Sequence, residues 1–348
     1  MVDPRQLERL LKQVQRLKQR NEYWAGTTRL ARMWVTPEQA PPYRPYVTLW
    51  LSQQGKIVSS RVLEHPPTVD TLFEELLRAM RRPAFGAGRA RRPSCLYLDN
   101  AEDVAALAPR LEPLGIQCVY RPSLSMADEV MLEMETHMGK HEPLPALVSI
   151  PSVTPPLLGH LYQLAAQFYQ ASPWEWFHDH HPFAIHCPPE DTPRYAIVMG
   201  SGGEVFGLAV YDRLSDLRSM FTSPVSRRQT ATRRTWLVLF FEEAPAVSFD
   251  DLDAMAAHDW PVAAPHAYPV FGRATSNQAF DLPSASDLLW MEGALGALLV
   301  FMGDHMAVDQ GRVQLADLIL SVPRVSGKAD VHFQLLEFET IFREDHGG

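Results

Sequence analysis

Between Glu142 and Pro156 the chain carries five prolines in 15 residues: Pro143, Pro145, Pro151, Pro155 and Pro156. A central strand or a long helix does not tolerate that density, because each proline fixes φ and removes a backbone donor. The segment divides a chain of 348 residues, a length that suits two domains. Charge changes sign across it. Residues 1–140 hold 20 Lys and Arg against 16 Asp and Glu, and residues 141–348 hold 12 against 25, so the halves carry net charges of +4 and −13. We read residues 1–141 as an N-terminal α/β domain, 142–156 as a linker and 157–348 as a C-terminal α+β domain. Each is expected to be a mixed β-sheet with packed helices.

The N-terminal half begins with a helix predicted over 4–20. Asp3 and Pro4 suit its start, and Leu7, Leu10, Leu11, Val14 and Leu17 follow helical spacing. That face either docks on its own domain or pairs two copies into a homodimer. A hairpin is predicted over 46–63, turning at Gln53-Gln54-Gly55-Lys56, and a helix over 68–81 capped by Thr68. A loop rich in Gly and Arg runs from Arg81 to Pro93. Strand 94–98, helix 101–113 and strand 116–120 form a βαβ-like unit, and helix 124–138 closes the half. The order of elements resembles the RNase H-like fold in topology.

In the C-terminal half, helix 157–171 leads into a loop of aromatic and histidine residues. A second hairpin pairs 194–199 with 204–211 across Gly200-Ser201-Gly202-Gly203. A strand over 235–241 and a helix over 249–258 follow. A buried central helix is predicted over 285–303, with Ser284 and Asp287 forming a capping box. Strands over 312–322 and 329–339 complete the chain.

The stretch Arg92-Pro93-Ser94-Cys95-Leu96-Tyr97-Leu98-Asp99, with Leu111-Glu112-Pro113-Leu114-Gly115-Ile116 after it, resembles a bacterial family of unknown function numbered 6930. Pro173-Trp174-Glu175-Trp176, Tyr195 through Gly200 and Gly203 through Tyr211 resemble its frequent companion, numbered 7309. At Asp212-Arg213 the sequence departs from that pattern, where a small residue is usual. The resemblance implies no activity, ligand or catalytic residue.

Several residues could carry chemistry. His178, His180, His181 and His186 belong to a metal-ligating type, with Cys187 beside them, although no H-E-x-x-H or C-x-x-C spacing accompanies them. The alternative is a surface loop whose aromatics, Trp174, Trp176 and Phe177, pack it onto the domain. Arg227, Arg228, Arg233 and Arg234 form an anion-binding candidate in a Ser/Thr-rich loop. Trp174, Trp176 and Phe177 are candidates for a recognition loop. Asp99 lies just past a strand, where α/β folds place functional groups, and capping explains it equally well, with Asp99 or Asn100 as the cap of helix 101–113. Glu292, in an apolar helix, is an acid of raised pKa, or else it meets an arginine, snorkels or faces solvent. Gly200 to Gly203 lacks the following helix and the lysine of a phosphate loop.

No nucleophile, acid–base pair or cofactor loop stands above its structural explanation. The expected function is therefore a non-catalytic binding or regulatory role through protein–protein contacts, with no cofactor. One alternative is a metal-dependent hydrolase using a divalent ion in the 178–187 loop. Another is nucleic-acid or polyanion binding through Arg227–Arg234. No membrane partner is expected, since no apolar run reaches the ~20 residues of a span. Three scattered cysteines, Cys95, Cys118 and Cys187, point to the cytoplasm rather than to a disulfide framework.

Overall fold

The computed structural model describes residues 4–138, 144–222, 235–275, 280–310 and 312–342. They belong to two compact units, Met1–Glu142 and Pro143–Gly348.

The first unit contains α1 (Pro4–Gln15), β1 (Tyr23–Leu30), β2 (Tyr46–Ser52), β3 (Ile57–Leu63), α2 (Val69–Arg81), β4 (Cys95–Leu98), α3 (Ala101–Leu111), β5 (Gln117–Tyr120) and α4 (Ser125–Met138). The sheet order is β3-β2-β1-β4-β5. β1 is antiparallel to β2 and parallel to β4, and β4 is parallel to β5. The sheet is mixed, as expected for this half.

Alternation along β2 supplies two cores. Trp50 faces α1, α2 and α3 together with Trp24, Leu76 and Leu96. Val47, Leu49 and Leu51 face α4, meeting Met131, Leu124 and Ala127. Leu10 and Val14 of α1 are buried in the first of these cores, so the apolar face of that helix lies on its own unit. α1 ends before residue 20 because the chain turns out to bond Arg92: Arg20 N donates to Arg92 O, and Arg92 N to Lys18 O.

The second unit contains α5 (Pro155–Ala171), β6 (Phe183–His186), β7 (Arg194–Met199), β8 (Gly207–Tyr211), α6 (Leu214–Thr222), β9 (Thr235–Glu242), α7 (Phe249–His258), β10 (Tyr268–Thr275), β11 (Phe280–Asp281), α8 (Ala285–Val300), β12 (Val308–Asp309), β13 (Arg312–Val313), β14 (Ala316–Arg324) and β15 (Gly327–Leu335). Its main sheet runs β11-β10-β9-β8-β7-β6-β15-β14. Every neighbouring pair is antiparallel, which narrows the mixed sheet expected here. β12 and β13 form a separate two-stranded ladder.

α5 and α8 pack together on one face of the main sheet, with Leu158, Leu161, Met291, Leu295 and Leu298 in a shared core. Gly296 permits the close approach of α8 to β14, since a Cβ there would lie 2.3 Å from Val322 Cγ1. The other face is covered by α6 and the turn at Phe338–Phe342, around Ile197, Tyr211 and Leu217. α8 continues as a π-helical turn through His305. The stretch Ala285–His305 is long and apolar enough to cross a membrane, but two thirds of it is buried inside the unit, as in a core helix.

The proline-rich stretch is not a free linker where it is described. Leu147 and Ile150 are buried in the C-terminal core, and Leu147 N donates to Asp251 Oδ2 at 2.9 Å. The apolar residues between the prolines bury because their backbone finds partners on α7.

Candidate functional site

In the first unit, the loop after α2 holds an unusual side chain. Arg82 and Pro83 end the helix, and Ala84 N donates to Val58 O at 2.8 Å, tying the loop to β3. Gly86 and Gly88 have φ of +83° and +98°, a region open to glycine, and they fold the loop back on itself. Ala87 is buried beneath them. Arg91 then pins the return: its N–H donates to Met80 O, its Nη1 to Ala87 O at 2.9 Å, and its Nε to Glu22 Oε1 at 2.5 Å. Its guanidinium also lies over Trp24, 5.3 Å from the ring centroid. From this anchored base Phe85 projects into solvent with 108% relative exposure. Arg82 and Arg89 are exposed beside it in sequence, Arg81 is half-buried, and none of the three forms an ion pair among the described residues.

Sequence reasoning noted the Gly and Arg content of this loop but passed over Phe85. The available signal was a large aromatic with no apolar residue at strand or helix spacing on its own side. Such a side chain has no face to join.

A second cluster lies at the C-terminal ends of parallel strands β1 and β4. Thr27 Oγ1 donates to Asp99 Oδ2 at 2.7 Å, and Arg29 Nη2 reaches the same oxygen at 2.8 Å. Arg29 Nη1 donates to Asp128 Oδ1, on α4, at 2.5 Å. Asn100, not Asp99, caps α3, accepting from Glu102 N and Asp103 N. Asp99 thus serves the arginine. Next to it, burial raises the pKa of Asp103, and the charges of Asp99 and Glu102 add to the effect.

In the second unit the four histidines do not converge on one point, although the rings of His178 and His181 lie 5.7 Å apart between centroids. His178 N donates to His181 Nδ1 at 3.1 Å within one turn. His180 stands edge-on to Phe338 at 4.3 Å between ring centroids. His186, at the far end of β6, donates from Nε2 to Glu190 O at 2.5 Å. Burial lowers the pKa of His181, with help from His178 and His180. Among the described residues no three His, Cys, Asp or Glu side chains gather as a metal ion requires. Cys187 is a buried thiol whose pKa is pushed up to about 12 by desolvation.

Of the three aromatic candidates, Trp176 is 42% exposed, whereas Phe177 is fully buried against Phe183. Trp174 packs on Phe206 and Tyr169. Arg227, Arg228, Arg233 and Arg234 lie outside the described residues.

The strongest electrostatic feature of this unit is a network of two arginines and three carboxylates. Asp287, in the first turn of α8, accepts from Arg273 Nη2 at 2.6 Å and from Arg194 Nη1 at 2.8 Å. Arg273 Nη1 also donates to Asp212 Oδ2 at 2.8 Å, and Arg194 Nη2 to Glu190 Oε1 at 2.6 Å. Asp212 is therefore a structural partner of Arg273. Glu292, 0% exposed on α8, meets an arginine, as one of its readings expected: its Oε2 lies 3.5 Å from Arg324 Nε. Its Oε1 contacts His160 Nδ1 at 2.6 Å and accepts from Val325 N at 2.8 Å.

Comparison with known proteins finds two family matches. Residues 10–135 match a domain of unknown function (DUF6930), and residues 159–304 match another (DUF7309). No curated protein matches the sequence. The cryoEM structure of the simian T-cell lymphotropic virus intasome in complex with PP2A regulatory subunit B56 gamma is similar at 14% identity. The likeness covers 57% of this chain and 78% of that chain with a TM-score of 0.22. At that score it carries no inference.

Proposed function

We propose that this chain, in which a DUF6930 domain precedes a DUF7309 domain, is a non-catalytic binding protein that acts through protein–protein contacts. The observation that carries this reading is Phe85, held out in water by a loop whose base is fixed. A fully exposed phenylalanine costs hydration free energy in the free protein, and burial in a partner recovers it. Because the loop is already folded, little ordering entropy is lost on contact. Aromatic anchors and arginines are the residue types on which interface energy concentrates. The partner face is an apolar pocket with an acidic rim, complementary to Arg81, Arg82 and Arg89.

Four carboxylates that could do chemistry support the same reading. Asp99, Asp128, Asp287 and Glu292 each face an arginine, which leaves them poorly placed to exchange protons with a substrate. The reduced thiols Cys95, Cys118 and Cys187 suit a bacterial cytoplasm.

A photo-crosslinking amino acid at position 85, compared with one at exposed Val62 on β3, tests this in living cells. We expect one discrete protein adduct from position 85, lost with Arg82→Glu and Arg89→Glu. A nuclease-sensitive adduct would replace the protein partner with nucleic acid. Equal adducts from both positions would end the proposal.

A further inference from the structure

The second unit contains a pocket of about 80 Å³ bordered by α5, α7 and β10. A water molecule needs roughly 10–15 Å³ of such space and benzene about 150 Å³, so several waters or one organic molecule smaller than benzene would fit. Leu147, Val247, Phe271, Phe280 and Leu282 make its walls apolar and partly aromatic. Two polar side chains interrupt them. Tyr162 is 1% exposed, and its hydroxyl has no hydrogen-bond partner. Asp251 is 3% exposed. Its carboxylate accepts from Leu147 N at 2.9 Å, Val148 N at 3.0 Å and Ser248 Oγ at 2.8 Å. Among the described residues it forms no ion pair.

Both groups carry an unmet cost. A buried carboxylate without a cation is poorly stabilised even when hydrogen-bonded, and a buried hydroxyl without a partner forfeits its solvation. Burial raises the pKa of Asp251, and it raises that of Tyr162 with the charge of Asp251 adding to it. Tyr162 is therefore a neutral hydroxyl at physiological pH.

One ligand chemistry meets both costs. An ammonium group supplies the missing positive charge to Asp251, donates an N–H to the Tyr162 oxygen and is attracted by aromatic faces. A carboxylate ligand would meet the charge of Asp251, and a hydrocarbon would leave the hydroxyl unpaired. We propose that this pocket binds a small primary ammonium ion with an apolar body, held between Asp251 and Tyr162. The site is independent of the contact surface at Phe85.

The test titrates the full chain with propylamine, propanol and propionate, which suit a cavity of this size, reading ligand-observed NMR and thermal shift. Saturable binding is expected for the amine, about tenfold or more tighter than for the alcohol. Tyr162→Phe, which keeps the ring, should weaken amine binding several-fold, and Leu282→Trp should fill the pocket and abolish it. Comparable binding of alcohol or carboxylate, no saturable amine binding, or wild-type affinity in folded Tyr162→Phe would each overturn the proposal.

Discussion

Arg29 and Asp99 meet through two nitrogens on one oxygen: Arg29 Nε and Nη2 lie 3.2 Å and 2.8 Å from Asp99 Oδ2. Thr27 donates to the same atom. The contact fastens β1 to the chain leaving β4, and through Asp128 it also holds α4. Asp99→Ala would leave the Thr27 hydroxyl and Arg29 Nη2 without an acceptor, while Arg29 Nε keeps Thr27 Oγ1 and Nη1 keeps Asp128. A half-buried charged hydrogen bond of this kind is worth ~1–3 kcal/mol. We expect a loss in that range in urea unfolding of the full chain, with Asp99→Asn losing less. An unchanged midpoint in Asp99→Ala would show that the cluster is only a solvated surface pair.

Phe85→Ala should leave stability within ~0.5 kcal/mol of the parent, because the side chain packs against nothing and the loop is held by Ala84, Ala87 and Arg91. Arg91→Ala should instead destabilise the first unit, since it removes the link from Glu22 to the loop backbone. A thermal melt of the two variants separates the roles. A large loss in Phe85→Ala would mean that the ring is buried in solution.

The elements with strong periodicity were legible in the sequence. α7 spans the residues that its pattern predicts, and α8 carries the expected Ser284–Asp287 capping box. β1, the central strand of the first sheet, was not legible. Its Tyr-Trp-Ala-Gly-Thr-Thr-Arg-Leu sequence has no clear alternation, because both faces are covered and Gly26 is required by a neighbour. A Cβ at Gly26 would lie 2.2 Å from Trp50 Cζ3. Missing β1 also hid Thr27 and Arg29, so Asp99 was visible as a candidate without the arginine that explains it. The histidine loop shows the opposite failure: composition drew attention to four residues of which His178 and His181 are neighbours, while His180 packs on Phe338 and His186 bonds Glu190.

Asp287 makes the second unit acid-sensitive. Burial alone would raise its pKa, but hydrogen bonds from Arg273 and Arg194 outweigh that and hold the carboxyl well below the usual range. A carboxylate with a depressed folded pKa stabilises the fold above its unfolded pKa of about 3.9. That contribution falls as pH drops from about 5 toward the folded value. Asp287→Asn should therefore cost most at pH 7, where ~3–5 kcal/mol is typical for breaking a buried pair. The gap to the parent should narrow at pH 3. Urea midpoints of both proteins at the two pH values decide it, and a pH-independent gap would rule out the linkage.

Glu292 and Arg324 give the sharpest test of a buried charge in this fold. The glutamate is fully buried on α8 and the arginine is fixed by the carbonyls of Pro188 and Leu289. Glu292→Gln preserves an acceptor for Val325 N but leaves Arg324 without its countercharge, which should cost ~3–5 kcal/mol. Arg324→Met alone should also be costly, because it strands the carboxylate. Together the two substitutions remove both charges and keep the volume, so the double variant should be more stable than the sum of the single losses predicts. A double-mutant cycle in urea gives the coupling energy directly. Additive losses would mean that Glu292 is held by His160 and the Val325 amide, with Arg324 contributing only its bulk.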